Sequence, residues 1–324
     1  MVCTAIAIIR LKDLIAVVML AGIYSLLSAS FFVAMDAVDV AFTEAAVGAG
    51  ISTLLMLVAI SMTGRSEHTV RHKPILALVV VFVTGALLIY GTLDMPYFGS
   101  PQAPIHLHVA PRYINDSMQE VGVSNIVTAV LASYRAFDTL GEVVVIFTAG
   151  VGVLALLSVA RRPDGDAESD SINDSMYKQH LILHIVVKML IPFILLFALY
   201  VQFHGDYGPG GGFQAGVIFA AAIILYAMLF GLSKARRVIN QTFTKLLAAA
   251  GLLIYGGVGV VSMLNGGEFL DYNVLAADPI AGQHLGILLI ELGVGCTVAS
   301  VMVIIFFNFA GRREDQQNKK IKEV

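Results

Sequence analysis

The chain has 324 residues, of which 58% are apolar and 13% charged, with a formal net charge of −3 and a mean hydropathy of +0.84. Soluble domains average about 25% charged residues, so the composition excludes a soluble domain, which needs a charged exterior, and a disordered chain. The small net charge offers no footprint for a nucleic-acid partner.

The apolar residues cluster into runs such as Leu14–Ala34, Pro74–Gly91 and Gly212–Leu232, each close to the roughly 20 residues that span a bilayer. The expected fold is therefore all-α, a polytopic membrane helix bundle of about eight transmembrane helices. The first ten residues hold too short an apolar run for a secretory signal and are expected as a helix stump or a membrane-surface segment. The spans are expected at 13–35, 39–62, 74–92, 138–159, 181–203, 212–232, 243–264 and 284–309.

Eight spans put both termini on one side. Tails, connections and the adjoining span end on that side carry 17 of the 20 Lys and Arg, among them Arg10, Arg65, Arg161, Arg236, Lys245 and Arg312. Of the rest, Arg112 and Arg135 fall opposite and Lys188 lies inside a span. By the positive-inside rule both termini are expected in the cytoplasm. The first two spans are joined by a turn at Met35–Asp39. The long outer connection 93–137 opens with Pro96, Pro101, Pro104 and Pro111 and is expected to be extended or irregular there. Its second part, Val121–Phe137, either lies on the membrane as an amphipathic helix or enters the bundle as a broken one. Residues 161–178 carry Arg-Arg-Pro, then five acids with Gly and Ser, the composition of a solvated linker. This divides the chain into membrane regions 1–160 and 179–310, with a charged, frayed tail at 311–324.

Ionisable residues inside a membrane cost at least ~2.5–3.5 kcal/mol each on insertion scales, which makes the few present informative. Glu44 lies in the second span, Asp138 and Glu142 begin the fourth at i and i+4, and Glu291 lies two turns into the last. The glutamates are expected in the outer third of the bilayer at similar depth, where oxygen ligands suit sodium or hydronium. His180, His184 and Lys188 recur every four residues on the cytoplasmic side of the fifth span, so they share a helix face and read either as a proton relay or as an interfacial histidine and a snorkelling lysine. Glu44 and Glu142 also read as groups that bond nearby helix-start backbone.

Gly205-Asp206-Tyr-Gly-Pro209-Gly210-Gly211-Gly212-Phe213-Gln-Ala-Gly216 lies between the fifth and sixth spans. Its glycines around Pro209 demand a tight loop, and Gly212 with Gly216 forms a small-residue pair for close helix contact. It lacks the Lys-Ser/Thr of a phosphate loop. Cys3 and Cys296 read as apolar packing residues rather than a disulfide or metal site. No nucleophile–base pair, metal cluster or cofactor motif supports an enzyme.

The glycine segment resembles the signature of the B-type component of the Mrp-type multisubunit cation/proton antiporters, which usually reads Gly-His, a short step, then Pro-Gly-Gly-Gly-Phe. Asp206 stands where that histidine is usual, and His204 lies two positions before it. This resemblance covers about 178–310. Asp39-Val-Ala-Phe-Thr-Glu-Ala-Ala-Val-Gly-Ala-Gly50 and Asn125–Glu142 resemble the D-type and E-type motifs of membrane-bound hydrogenases, which also form the C-terminal region of the A-type antiporter component. That likeness covers about 10–160, and the chain departs from the D-type pattern in lacking a full first helix.

The resemblance implies a fused D–E–B unit in a bacterial plasma membrane, related to the membrane arm of respiratory complex I. Its partners would be other antiporter subunits, including the large proton-channel ones. Family members exchange cytoplasmic sodium, sometimes potassium or lithium, for external protons. Glu44 and Glu142 then fall in the family's proposed cation pathway, with Asp39, Asp138, His184, Lys188 and Glu291 as further candidates. The rival readings are a membrane-arm component of a hydrogenase-type pump, a purely structural assembly component, and a stand-alone transporter.

Overall fold

The structure is a computed structural model that describes residues 1–67, 74–97, 99–157 and 181–322. The expected linker 161–178, together with His180, lies outside the described residues. Among those described there is no strand, and eight helices are long and apolar enough to cross a membrane.

Helix α1 (Val2–Arg10) leads into α2 (Leu14–Ala34). The α2 start is capped by Asp13, whose carboxylate accepts the Ile15 N–H at 3.0 Å and pairs with Arg65 at 2.7 Å. A turn with Asp36 at φ 63° reverses the chain into the second span. That span is interrupted: α3 (Val38–Glu44) passes into a π-helical segment, Ala45–Ser52, before α4 (Thr53–Thr63). The segment is Ala-Ala-Val-Gly-Ala-Gly-Ile-Ser, whose two glycines weaken the regular helix, and π-bulges favour functional sites. Helix α5 (Pro74–Thr92) follows, with none of its apolar window buried.

The outer connection is less irregular than its prolines suggest. It forms short helices α6 (Pro104–Leu107), α7 (Val109–Asn115) and α8 (Ser117–Glu120). Pro104 and Pro111 sit in first turns, where a helix has no use for their missing N–H. Residues 121–137 are taken partly into the bundle. Val121, Val123, Ala129, Ala132 and Ala136 are buried, and the stretch enters the bundle as α9 (Ile126–Thr128), a second π-helical segment (Ala129–Tyr134) and α10 (Ala136–Leu157). Two hydroxyls stabilise this join. Thr139 donates to the Leu131 carbonyl freed by the wide turn (2.8 Å), and buried Tyr255 donates to the Ala136 carbonyl (2.8 Å).

The second half contains α11 (Leu181–His204), α12 (Gly212–Phe230), the short α13 (Leu232–Val238), α14 (Gln241–Leu264) and α15 (Pro279–Lys322). Helix α15 is the axis of the bundle and packs against α14, α12, α10 and α4. It begins five residues before the expected span and runs on to Lys322, so the charged tail continues a helix instead of fraying. Glycines set its closest contacts. A Cβ on Gly212 would overlap the backbone of Glu291, and one on Gly216 would lie 2.8 Å from the Gly295 carbonyl oxygen. The expected small-residue pair is thus the seam between α12 and α15.

Candidate functional site

The glycine loop between α11 and α12 is where the regions of the chain meet. Gly211, at φ 120°, turns the backbone into α12, and its N–H donates to the Val201 carbonyl at 3.0 Å. Buried Asn125 donates its amide to the carbonyls of Gly205 (3.1 Å) and Gly208 (3.0 Å), and Thr128 donates to Gly205 at 2.7 Å. The Asn125 N–H donates in turn to the Asp206 carbonyl (3.1 Å). From the second span, Asp39 Oδ1 accepts the Gly210 N–H at 3.2 Å, and Gln214 donates to Thr43 at 2.9 Å. Pro209 and Phe213 complete the turn.

A cavity of about 750 Å³ opens beneath this knot. Three carboxylates line it: Asp39 from α3, Glu142 from α10 and Glu291 from α15. Thr43, Thr128, Thr139 and Gln214 add hydroxyl and amide groups, while Leu131, Val145, Ile146 and Val294 form an apolar wall. The carboxylate of Glu291 rests against the loop, where Cβ atoms on Gly205 and Gly211 would lie 3.2 and 3.1 Å from its Oε1. Among the described residues the lining holds no Lys or Arg. Three acids without a countercharge attract cations or protons, and their hard oxygens suit an alkali ion. Among the described residues no three His, Cys, Asp or Glu side chains converge on a single metal position. The carboxylates are therefore stations around a cavity wide enough for a hydrated ion, not one coordination shell.

The other expected residues lie elsewhere. Glu44, expected beside Glu142 in one outer pocket, is not part of this lining. It faces α2, since a Cβ on Gly48 would lie 2.7 Å from both its Oε1 and the Ser25 hydroxyl. Asp39 and Glu44 point to different faces because a helix turns about 100° per residue, which over five steps leaves them well apart around the axis. Asp138 pairs with Arg135 at 2.6 Å on the surface. His184 and Lys188 are not brought to the cavity. His184 is buried with a ring nitrogen 2.8 Å from the Leu229 carbonyl and its ring edge-on to Phe230, whereas Lys188 is exposed on α11. Asp206 lies 3.6 Å from His284 of α15, and His204 stacks on Tyr200.

Sequence reasoning missed Asn125 as the hub of the knot, along with Thr43, Thr128 and Gln214. The available signal was an uncharged polar residue beside small ones in apolar surroundings, but nothing local to Asn125 identifies a loop 80 residues away as its partner. In the connection before α9 a second cluster holds Glu120 between the Arg112 guanidinium (3.1 Å) and the Tyr134 hydroxyl. These partners, Tyr134 foremost, hold the Glu120 carboxyl below the usual carboxylate range, and burial with Glu120 pushes the Tyr134 phenol up to about 12.

Comparison with known proteins gives this geometry its relatives. Residues 182–304 match a domain related to the MnhB subunit of the Na+/H+ antiporter. Residues 1–65 match the D-type subunit of MBH, and residues 70–176 match its E-type subunit. The putative antiporter protein mnhB2 of Staphylococcus aureus (strain Newman) is 33% identical over 141 residues, covering 43% of this chain and 99% of that protein. The A/B component of a probable K(+)/H(+) antiporter of Rhizobium meliloti (strain 1021) is 25% identical over 91% of this chain, which spans only 32% of that relative. The Mrp complex of Dietzia sp. DQ12-45-1b shares the fold, with a TM-score of 0.72 at 24% identity over 95% of this chain and 34% of that one. An archaeal membrane-bound sulfane sulfur reductase matches with a TM-score of 0.53 at 28% identity, over 74% of this chain and 98% of that one. The D-type, E-type and B-type regions supply Asp39, Glu142 and Glu291 respectively to one cavity, and the chain belongs to the family of Mrp-type multisubunit antiporter subunits, as a fusion of hydrogenase-D/E-like and B-type regions.

Proposed function

We propose that this chain provides the outer, acidic section of a cation/proton exchange path in a multisubunit antiporter of a bacterial plasma membrane, with both termini cytoplasmic. The observation that carries the reading is the convergence of Asp39, Glu142 and Glu291 on one cavity without a basic residue in its lining. Each carboxylate exchanges a proton for a cation such as sodium or potassium, and the polar side chains between them stand in for part of the ion's hydration.

A partner is needed on physical grounds. Glu142 is exposed in the isolated chain although it lies within a span, and a charge facing hydrocarbon costs several kcal/mol. Another membrane protein of the complex closes that side of the cavity. In this reading the chain acts in transport.

In membrane vesicles carrying the native complex, Glu142→Gln and Glu291→Gln are each expected to lower cation-dependent proton exchange at least tenfold while the complex still assembles. Wild-type exchange in both variants refutes the reading. The likeness to an archaeal respiratory complex favours a second reading, a redox-driven pump built on the same regions. The purified native complex distinguishes them: redox subunits support the pump, and large antiporter-like subunits without redox partners support the antiporter.

A further inference from the structure

Gln202 is a polar residue that the acidic cavity does not account for. It lies in α11 and is only 7% exposed, and among the described residues its Nε2 has no hydrogen-bond partner. Burying an amide that makes no hydrogen bond is unfavourable, so its retention calls for a partner outside the chain.

Its position identifies that partner's surroundings. The Gln202 amide packs at Gly295, where a Cβ would lie 2.6 Å from Oε1, and the Gly212 carbonyl oxygen is 3.3 Å from the same point. Gly295 is one turn beyond Glu291 on α15, and Gln202, in the last turn of α11, stands three residues before Gly205 of the loop. The Glu291 carboxylate rests against Gly205 and Gly211. The two side chains therefore meet α15 at positions one helical turn apart, roughly 5.4 Å along its axis. Two consecutive hydrogen bonds through one water span roughly that distance.

We propose that Gln202 is a positioning residue for the exchange site: its amide N–H donates to a buried water, which donates to the Glu291 carboxylate. The water accepts from Gln202 and is oriented by it, so that Glu291 gives up and takes back its proton against a fixed donor. The water and the amide lie behind Glu291, outside the lining of the acidic cavity. On α11 the stretch from Met189 to Val201 holds no charged or amide side chain, so this file of polar groups does not continue inward along that helix. The proposal rests on the reading of the acidic cavity as an exchange site, and the test separates the two.

Exchange and assembly are measured together in vesicles carrying the native complex with Gln202→Leu, Gln202→Asn and Glu291→Gln. The expected result is that Gln202→Leu assembles normally, since an apolar side chain of similar size fills the same buried position, yet exchanges at least fivefold more slowly. Gln202→Asn, which keeps the donor, is expected to retain at least half of the rate. A purely structural Gln202 gives the opposite: Leu is tolerated with wild-type exchange. That outcome, with Glu291→Gln inactive, overturns the proposal and leaves the site reading standing. If Glu291→Gln also exchanges normally, the site reading fails instead. Should Gln202→Leu not assemble, a high-resolution structure of the native complex decides. A water within hydrogen-bond reach of both Gln202 Nε2 and Glu291 supports the proposal, and density that excludes one overturns it.

Discussion

Asp39 Oδ1 accepts the backbone N–H of Gly210 at 3.2 Å across 171 residues of sequence. One carboxylate thus both lines the acidic cavity and holds the loop that roofs it. The two duties separate by substitution. Asp39→Asn keeps an oxygen acceptor and loses the charge, so exchange is expected to fall while the melting temperature of the complex is nearly unchanged. Asp39→Ala loses both, and thermal melting of the purified complex should show the added destabilisation.

Asn125 carries the knot itself. Asn125→Leu leaves the Gly208 carbonyl without its side-chain donor and deprives Gly205 of one of two. An unsatisfied buried polar group costs ~1–3 kcal/mol, so the variant complex is expected to melt several degrees lower. Melting equal to wild type would show that the loop is held by other contacts.

The glycines divide into two classes. Gly216→Leu forces a side chain into the Gly295 carbonyl and the Val298 side chain and is expected to abolish assembly. Gly257 in α14 has open space where its Cβ would be, so Gly257→Ala should assemble normally and gain up to ~1 kcal/mol of helix stability. Recovery of intact complex from membranes reads both.

The Glu120 cluster is expected to respond to acid late. Glu120 is held below the usual carboxylate value of about 4.3 by Tyr134 and Arg112. A carboxyl whose folded-state value is depressed contributes stability above its unfolded value and loses it as pH falls through the folded one. Hydrogen exchange over 109–121 should therefore stay slow down to pH about 4.3 and quicken only below it. In Tyr134→Phe the segment should be less protected at neutral pH and should lose less protection on acidification.

The spans were legible because bilayer length and hydropathy are local properties, and all eight expected spans overlap observed helices. Glu142 and Glu291 were legible because charge inside a span is costly wherever it occurs. The glycine loop was legible as a tight turn because its glycines and Pro209 demand one. What the sequence hid was direction. Helical phase separates Asp39 from Glu44, but no residue pattern there shows which of the two faces the cavity and which faces Ser25. Asn125 was hidden for a different reason, since its loop partners Gly205 and Gly208 are 80 and 83 residues away.

The most direct test of the shared cavity is the cation concentration for half-maximal exchange in Glu142→Asp, Glu291→Asp and the double variant, assayed in vesicles carrying the native complex. Residues around one cavity are coupled, whereas independent sites give additive free-energy changes. The account predicts that each single variant raises this concentration and that the double variant departs clearly from the product of the two changes. Two effects that multiply simply, or no change in either single variant, would contradict it.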